Sequence, residues 1–312
     1  MPKIKKSYKL EDKHNNQKML DESKCSKSTE ISYYDNENEH LIQIYGNDTY
    51  EHSKETEMHT CMPNLLINHN IESKIRTRMI DWMFEVLYAY NSEENTVFIA
   101  EYILDTFIHK YSKQLGSSDI HLIGICAMFL ASKMEDISPL NMVVVADKIG
   151  HNKFSSNAIH KMEMLILETI GFELIITTPY DFVKTYMYDF LFNNRGFISK
   201  INFSEEIIKQ FENTTLFLCK MIMHDEAFCS YKYSLRAIAC LVAAFDIIRS
   251  NMEIPIEGEN FIKEWLKFII HESNYNNNEV CKLYSSIVEY YSGFGELTII
   301  SHNLRKNHLL NF

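Results

Sequence analysis

The chain has 312 residues, a length that allows two domains, and 46% of them are hydrophobic, enough for a sizeable core. Its 9 glycines and 5 prolines are too few for a loop-rich fold and point to helices. A net charge of −11 excludes a general phosphate-binding surface, so no nucleic acid is expected as a partner.

Residues 1–38 are rich in Lys, Asn, Ser, Asp and Glu and are expected to be disordered, with no apolar core of a secretory signal. The stretch from residue 39 then reads as a short amphipathic helix broken before Pro63. After Asn70, a plausible N-cap, apolar residues at 75, 79, 82, 83, 86, 87 and 90 give a clear helical period. "NTVFIAEYILDTFIHKY" forms a second helix, and "GSSD" at 116–119 is expected to cap a third. That third segment, "IHLIGICAMFLASKMED" at 120–136, is apolar nearly all round, as a helix in the middle of a bundle should be. "LNMVVVADKIG" makes a short fourth, and "NAIHKMEMLILETIG" a fifth that starts after Ser155-Ser156 and stops at Gly171.

From residue 177 the count begins again with five further helical segments, of which the third, around "SLRAIACLVAAF", is again the most apolar. The expected architecture is all-α, two tandem five-helix units, each around a central buried helix. The domains are then 1–38, 39–176 and 177–312.

The cysteines, Cys25, Cys61, Cys126, Cys219, Cys229, Cys240 and Cys281, are odd in number and form no C-x-x-C pair, which reads as a reducing intracellular compartment without a zinc site. The longest apolar run, Leu122 to Ala131, is too short to cross a bilayer, so no membrane partner is expected. No phosphate loop, dinucleotide fingerprint, zinc-protease or nucleophile-elbow motif occurs, and the histidines lack ligand spacing. The chain is therefore read as a non-enzyme with no cofactor and no metal.

Two charges interrupt apolar rows. Lys133 continues the row 122, 125, 126, 129, 130 in the third helix, and Glu163 breaks the row 159, 162, 166, 170 in the fifth. An unpaired charge in such a place is costly. Spacing alone leaves two readings open: an internal Lys133–Glu163 pair with the lysine reaching water, or a contact outside the chain.

"IRTRMIDWMFEV" (75–86), "LDTFI" (104–108), "LASKMED" (130–136) and "HKMEMLILETIGFEL" (160–174) resemble, in order and spacing, the landmarks of the cyclin box, with the mitotic A/B-type cyclins nearest. "CKMIMHDEAFCSYKYSLRAIACLVAA" resembles their second, weaker cyclin fold. The resemblance implies a regulatory subunit that binds and activates a cyclin-dependent serine/threonine kinase in cell-cycle control, resident in nucleus and cytoplasm. A cyclin-fold adaptor or transcription factor that activates no kinase is the alternative.

Residue by residue, the resemblance implies that Lys133 and Glu163 hydrogen-bond the backbone of the kinase's regulatory helix. Met134, Leu167, Phe172 and Leu174 would pack on that helix, and Arg76 with Asp105 would form a buried ion pair. Leu122 matches a core leucine. A patch that docks Arg-x-Leu substrates or inhibitors would comprise Ile75, Arg78, Met79, Trp82, Glu85, Ile120 and His121. Arg78 stands where such patches usually carry an apolar residue, and His121 where an amide is common. Thr106 replaces the usual arginine of "LDRFL", and Leu235-Arg236 replaces a frequent Pro-Ser. The first arginine of the chain is Arg76, so no R-x-x-L destruction motif lies in the N-terminal segment.

Overall fold

The computed structural model describes residues 50–57, 60–194, 196, 198 and 204–294. The expected disorder of 1–38 and the start of the helix at 39 lie outside these residues. Helical turns at 50–56 lead into the first of two groups of five helices. The first group is α1 Ser73–Ala89, α2 Thr96–Lys110, α3 Ile120–Glu135, α4 Val144–Ile149 and α5 Ser156–Ile170. The second is α6 Pro179–Asn193, α7 Glu205–Ile222, α8 Tyr233–Asn251, α9 Ile256–Glu272 and α10 Asn277–Phe294, with a 3₁₀ turn at Glu226–Ser230. Among the described residues there is no strand, only an isolated bridge between Asn70 and Gly116.

Both central helices lie where their composition requires. In α3 every residue from Ile123 to Ser132 is buried, and the helix packs against α1, α2, α4 and α5. In α8 the residues Tyr233 to Leu241 are buried, and it touches α6, α7, α9 and α10. A helix hidden on all sides has no polar face to offer water, and here each is wrapped by the four other members of its group. Gly124 allows the closest approach: Met79 of α1 lies directly over it, with Cε 2.0 Å from where an added Cβ would stand.

Local signals hold at several ends. Ser155 caps α5 by accepting from the Ala158 amide, and Gly171 closes the helix in the left-handed region at φ 76°. Thr178 and Asp181 form a reciprocal capping box at α6, with Pro179 in its first turn. Two expectations are corrected. The residue before α1 is Glu72, without a side-chain cap, because Asn70 is held two residues upstream with its amide on the Leu115 carbonyl. Asp119 precedes α3, but its carboxylate turns back to the Gly116 amide instead of capping the helix. The fourth helix is wound more widely than an α-helix, as a π-type turn over 144–149.

The segment 50–57 is fastened to the second group. The Tyr50 hydroxyl bonds Ser273, and Thr56 bonds Thr177. The buried Glu57 carboxylate accepts from the amide and hydroxyl of Ser234, in the first turn of α8. An anion at that position satisfies amides that the helix itself leaves open.

Candidate functional site

The end of α3 and the buried face of α5 meet through Lys133 and Glu163. Lys133 Nζ lies 2.5 Å from Glu163 Oε1 and 3.6 Å above the Phe129 ring. The second carboxylate oxygen, Oε2, is 3.2 Å from His160 Nδ1. The pair is one-sided: the Glu163 side chain is 6% exposed and that of Lys133 41%. Cys126 behind it is an inert thiol, pushed up to about 12 chiefly by burial, with Glu163 adding to the shift. The charges pair internally, yet an ammonium has three donors, and Lys133 still faces water.

The same two helices also leave apolar side chains exposed. Met134, Ile137, Met164, Phe172 and Ile175 are large hydrophobic side chains left exposed on the end of α3, the outer face of α5 and the segment following it. Phe172, directly after Gly171, has a positive φ of 59° and is 63% exposed. Leu167 and Leu174 are half-buried beside them. These exposed apolar side chains stand on, or directly after, the two helices that carry the charge pair.

The first-helix patch is less complete. Arg78 and Glu85 are exposed, and Ile75, Trp82 and His121 are half-buried. Met79 and Ile120 are closed into the core, Met79 against Gly124. Leu122 is half-buried, so the fully buried row of α3 begins at Ile123 instead.

Arg76 and Asp105 are bonded through both guanidinium nitrogens, Nε to Oδ1 at 2.8 Å and Nη2 to Oδ2 at 2.5 Å, with neither side chain reaching water. The pair is also the centre of something larger. Arg76 Nη1 donates to the Met223 carbonyl at 2.8 Å, and Nη2 contacts Cys229 Sγ. Glu101, one turn before Asp105, lies 3.5 Å from Arg76 and 3.8 Å from Arg236 of α8. Arg236 stacks over Tyr233 and donates to the Tyr231 carbonyl. Two guanidinium groups and two carboxylates thus join the two helix groups through their cores. Burial pushes the Glu101 carboxyl up to about 7 against the pull of Arg236, and neither of its oxygens has a hydrogen-bond donor. Glu101, Asp105 and Cys229 have ligand atoms within 4.8 Å of one another, but the Arg76 guanidinium already stands against all three and supplies the charge a cation would bring.

Glu101, Cys229 and Arg236 were not singled out as a site from the sequence. Glu101 did carry a signal, a charge inside the strongly apolar "FIAEYILDTF". Arg236 likewise interrupts the most apolar helix of the second half.

A model of the cyclin N-terminal domain matches residues 48–175, and a model of the cyclin C-terminal domain matches 177–308. The chain belongs to the cyclin family. Among curated cyclins it is similar to Cyclin-B2-4 of Arabidopsis thaliana, 28% identical over 54% of this chain and 37% of that one. G2/mitotic-specific cyclin C13-1 of Daucus carota is 28% identical over 68% of this chain and 60% of that one. Cyclin-B2-2 of Oryza sativa subsp. indica is 23% identical over 86% and 58%. The chain thus spans from about a third to three-fifths of the length of these relatives. Among solved structures, a viral cyclin from herpesvirus saimiri superposes with a TM-score of 0.56 over 80% of this chain and 99% of that one, at 13% identity, a likeness of fold. The two helix groups are two tandem cyclin folds. No helix among the described residues is long and apolar enough to cross a membrane.

Proposed function

We propose that this cyclin is the activating, non-catalytic subunit of a cyclin-dependent serine/threonine kinase that acts in cell-cycle control. The observation that carries the proposal is the Lys133–Glu163 pair, half open to water, with Met134, Ile137, Met164, Phe172 and Ile175 exposed on or directly after the two helices that carry it. A partner helix laid on this face would bury those apolar groups and offer backbone carbonyls to Lys133 and amides to Glu163. Each apolar side chain fully covered contributes roughly 1.5–3 kcal/mol. The pair supplies register more than affinity. Activation follows if the face binds the active kinase conformation better than the inactive one, with the regulatory helix turned inward so that its glutamate reaches the catalytic lysine. The B-type cyclins among the relatives support a mitotic role.

The test is a pull-down from native extract with mass spectrometry and a histone-kinase assay, comparing wild type with Lys133→Ala/Glu163→Ala. Losing the polar centre of a desolvated interface costs about 2–5 kcal/mol, roughly thirtyfold or more in affinity. The expected result is loss of co-purified kinase activity with helical content and melting nearly unchanged. Normal activation by the double variant refutes the assignment, and unfolding of the variant makes the pair a device of the fold alone.

A further inference from the structure

We propose that Ser138 is a phosphorylation site for proline-directed protein kinases, and that a phosphate there disables the kinase-docking face. The consequence rests on the preceding reading; the site itself does not. The chain holds two serine- or threonine-proline pairs, Ser138-Pro139 and Thr178-Pro179. Sequence alone ranks them equally, and the fold separates them. Thr178 is fully buried before α6, where its hydroxyl donates to Asn95 Oδ1 at 2.6 Å and accepts from the Asp181 amide. Ser138 is exposed between α3 and α4, next to Ile137 at 91% exposure.

The loop that carries Ser138 is pinned at both ends by one hydroxyl. Ser132 Oγ, in the last turn of α3, donates to Asp136 Oδ2 at 2.5 Å and accepts from the Leu140 amide at 2.9 Å. Asp136 is tied a second time, its Oδ1 accepting from Thr96 Oγ1 and from the Glu93 amide near the start of α2. Leu140 is buried. Between these pins Ile137, Ser138 and Pro139 are all exposed and outside the helices. Pro139 disfavours helical backbone at Ser138, and it is the following residue that proline-directed kinases select. The Ser138 hydroxyl oxygen would attack the γ-phosphorus of ATP. The new Oγ–P bond forms as the bond to ADP breaks, and the hydroxyl proton passes to the modifying kinase's catalytic carboxylate.

The phosphate brings close to two negative charges to a place ill suited to them. Asp136 and the C-terminal end of α3, whose last carbonyls carry partial negative charge, come just before it in the chain. So do Met134 and Ile137, two of the side chains that a partner helix would cover. A dianion there must lose its water when the face is covered. Lys133, the nearest cation in sequence, is already paired with Glu163. A phosphate that drew Lys133 away would break the pair that sets the register, so both routes weaken docking.

The experiment incubates the full chain with radiolabelled ATP and a purified proline-directed kinase that needs no cyclin, then maps phosphopeptides by mass spectrometry. Phosphate is expected on Ser138 and none on Thr178. Ser138→Ala should remove that signal. Pro139→Ala should slow its appearance about tenfold or more, as loss of one selective contact allows, with melts showing both variants folded. Phosphorylated and untreated chains are then compared in the pull-down from native extract. The phosphorylated chain should retain about tenfold less kinase, as one unfavourable charge at a covered face allows. No phosphate at Ser138, equal labelling of the Pro139→Ala variant, or labelling of Thr178 in the folded chain overturns the site. Equal kinase capture by the two forms overturns its consequence. Capture of no kinase by either form is failure of the preceding reading and takes the consequence with it, while the mapping still decides the site.

Discussion

Replacing Arg76 with methionine tests whether the buried cluster fastens the two cyclin folds to each other. Methionine keeps most of the stem volume and removes the guanidinium. Three attachments vanish together: the two-pronged bond to Asp105, the bond to the Met223 carbonyl and the 3.5 Å contact to Glu101. What remains is a buried Asp105 carboxylate facing a weak thiol donor at 3.4 Å, and a carbonyl without its partner. Removing one member of a buried ion pair costs about 3–5 kcal/mol, because the other charge stays buried and uncompensated. Against a typical total of about 5–15 kcal/mol, that is a large fraction. Urea unfolding followed by circular dichroism is the assay, with the buried Trp265 of α9 as a fluorescent reporter of the second fold. The midpoint should fall, and Trp265 should report the loss although it lies in the other fold, because the bond to Met223 crosses between them. Arg76→Met combined with Asp105→Leu should recover part of the loss, since no orphaned charge is then left at 105. A loss below about 1 kcal/mol in the single variant, a size ordinary for a neutral hydrogen bond, would refute the reasoning.

Gly124→Ala should destabilise the first fold, because its new Cβ meets Met79 Cε, Sδ and Cγ at 2.0, 2.6 and 2.9 Å. Overpacking of this kind costs about 1–3 kcal/mol, offset in part by the better helix propensity of alanine. Met79→Ala in the same chain should make the effects strongly non-additive in thermal or urea melts, and simple additivity sinks the idea. Glu101 predicts a pH dependence. Its native pKa, about 7, lies above the ordinary glutamate value, so the folded state binds the extra proton. Its contribution is fully present below the unfolded value near 4.3 and is lost as pH rises to about 7, a decline of up to about 3 kcal/mol. Glu101→Gln should flatten this slope in urea melts taken between pH 5 and 8, and an unchanged slope contradicts it.

How much of this was legible in the sequence depends on the range of the interaction. Residues three and four apart are neighbours on a helix, so the apolar rows of α1, α5 and α8 announce buried faces directly. Ser155, Gly171 and Thr178 act on amides and carbonyls within a turn of themselves, and their roles follow from residue type. Asn70 and Asp119 misled for the same reason in reverse. Asn70 is held by its backbone amide on the distant Leu115 carbonyl, two residues short of the helix, and the Asp119 carboxylate is taken by the Gly116 amide. Lys133 and Glu163 were recognisable as charges out of place, and only the crossing of α3 with α5 brought them to 2.5 Å.

The sequence by itself determined the helices, the two central buried segments, and, through four motifs in order, the cyclin resemblance. All of that rests on short-range periodicity and local motif order, which a chain displays whether or not it is folded. Tertiary structure decided which charges meet. Arg76 reaches Met223 across 147 positions, and Glu57 reaches Ser234 across 177. It also decided that Met79 and Ile120 are core and that Phe154 joins Trp82 and His121. No period encodes such pairings. They arise when two bundles bury their faces together and each polar group enclosed in the process must find a partner wherever the packing has placed one.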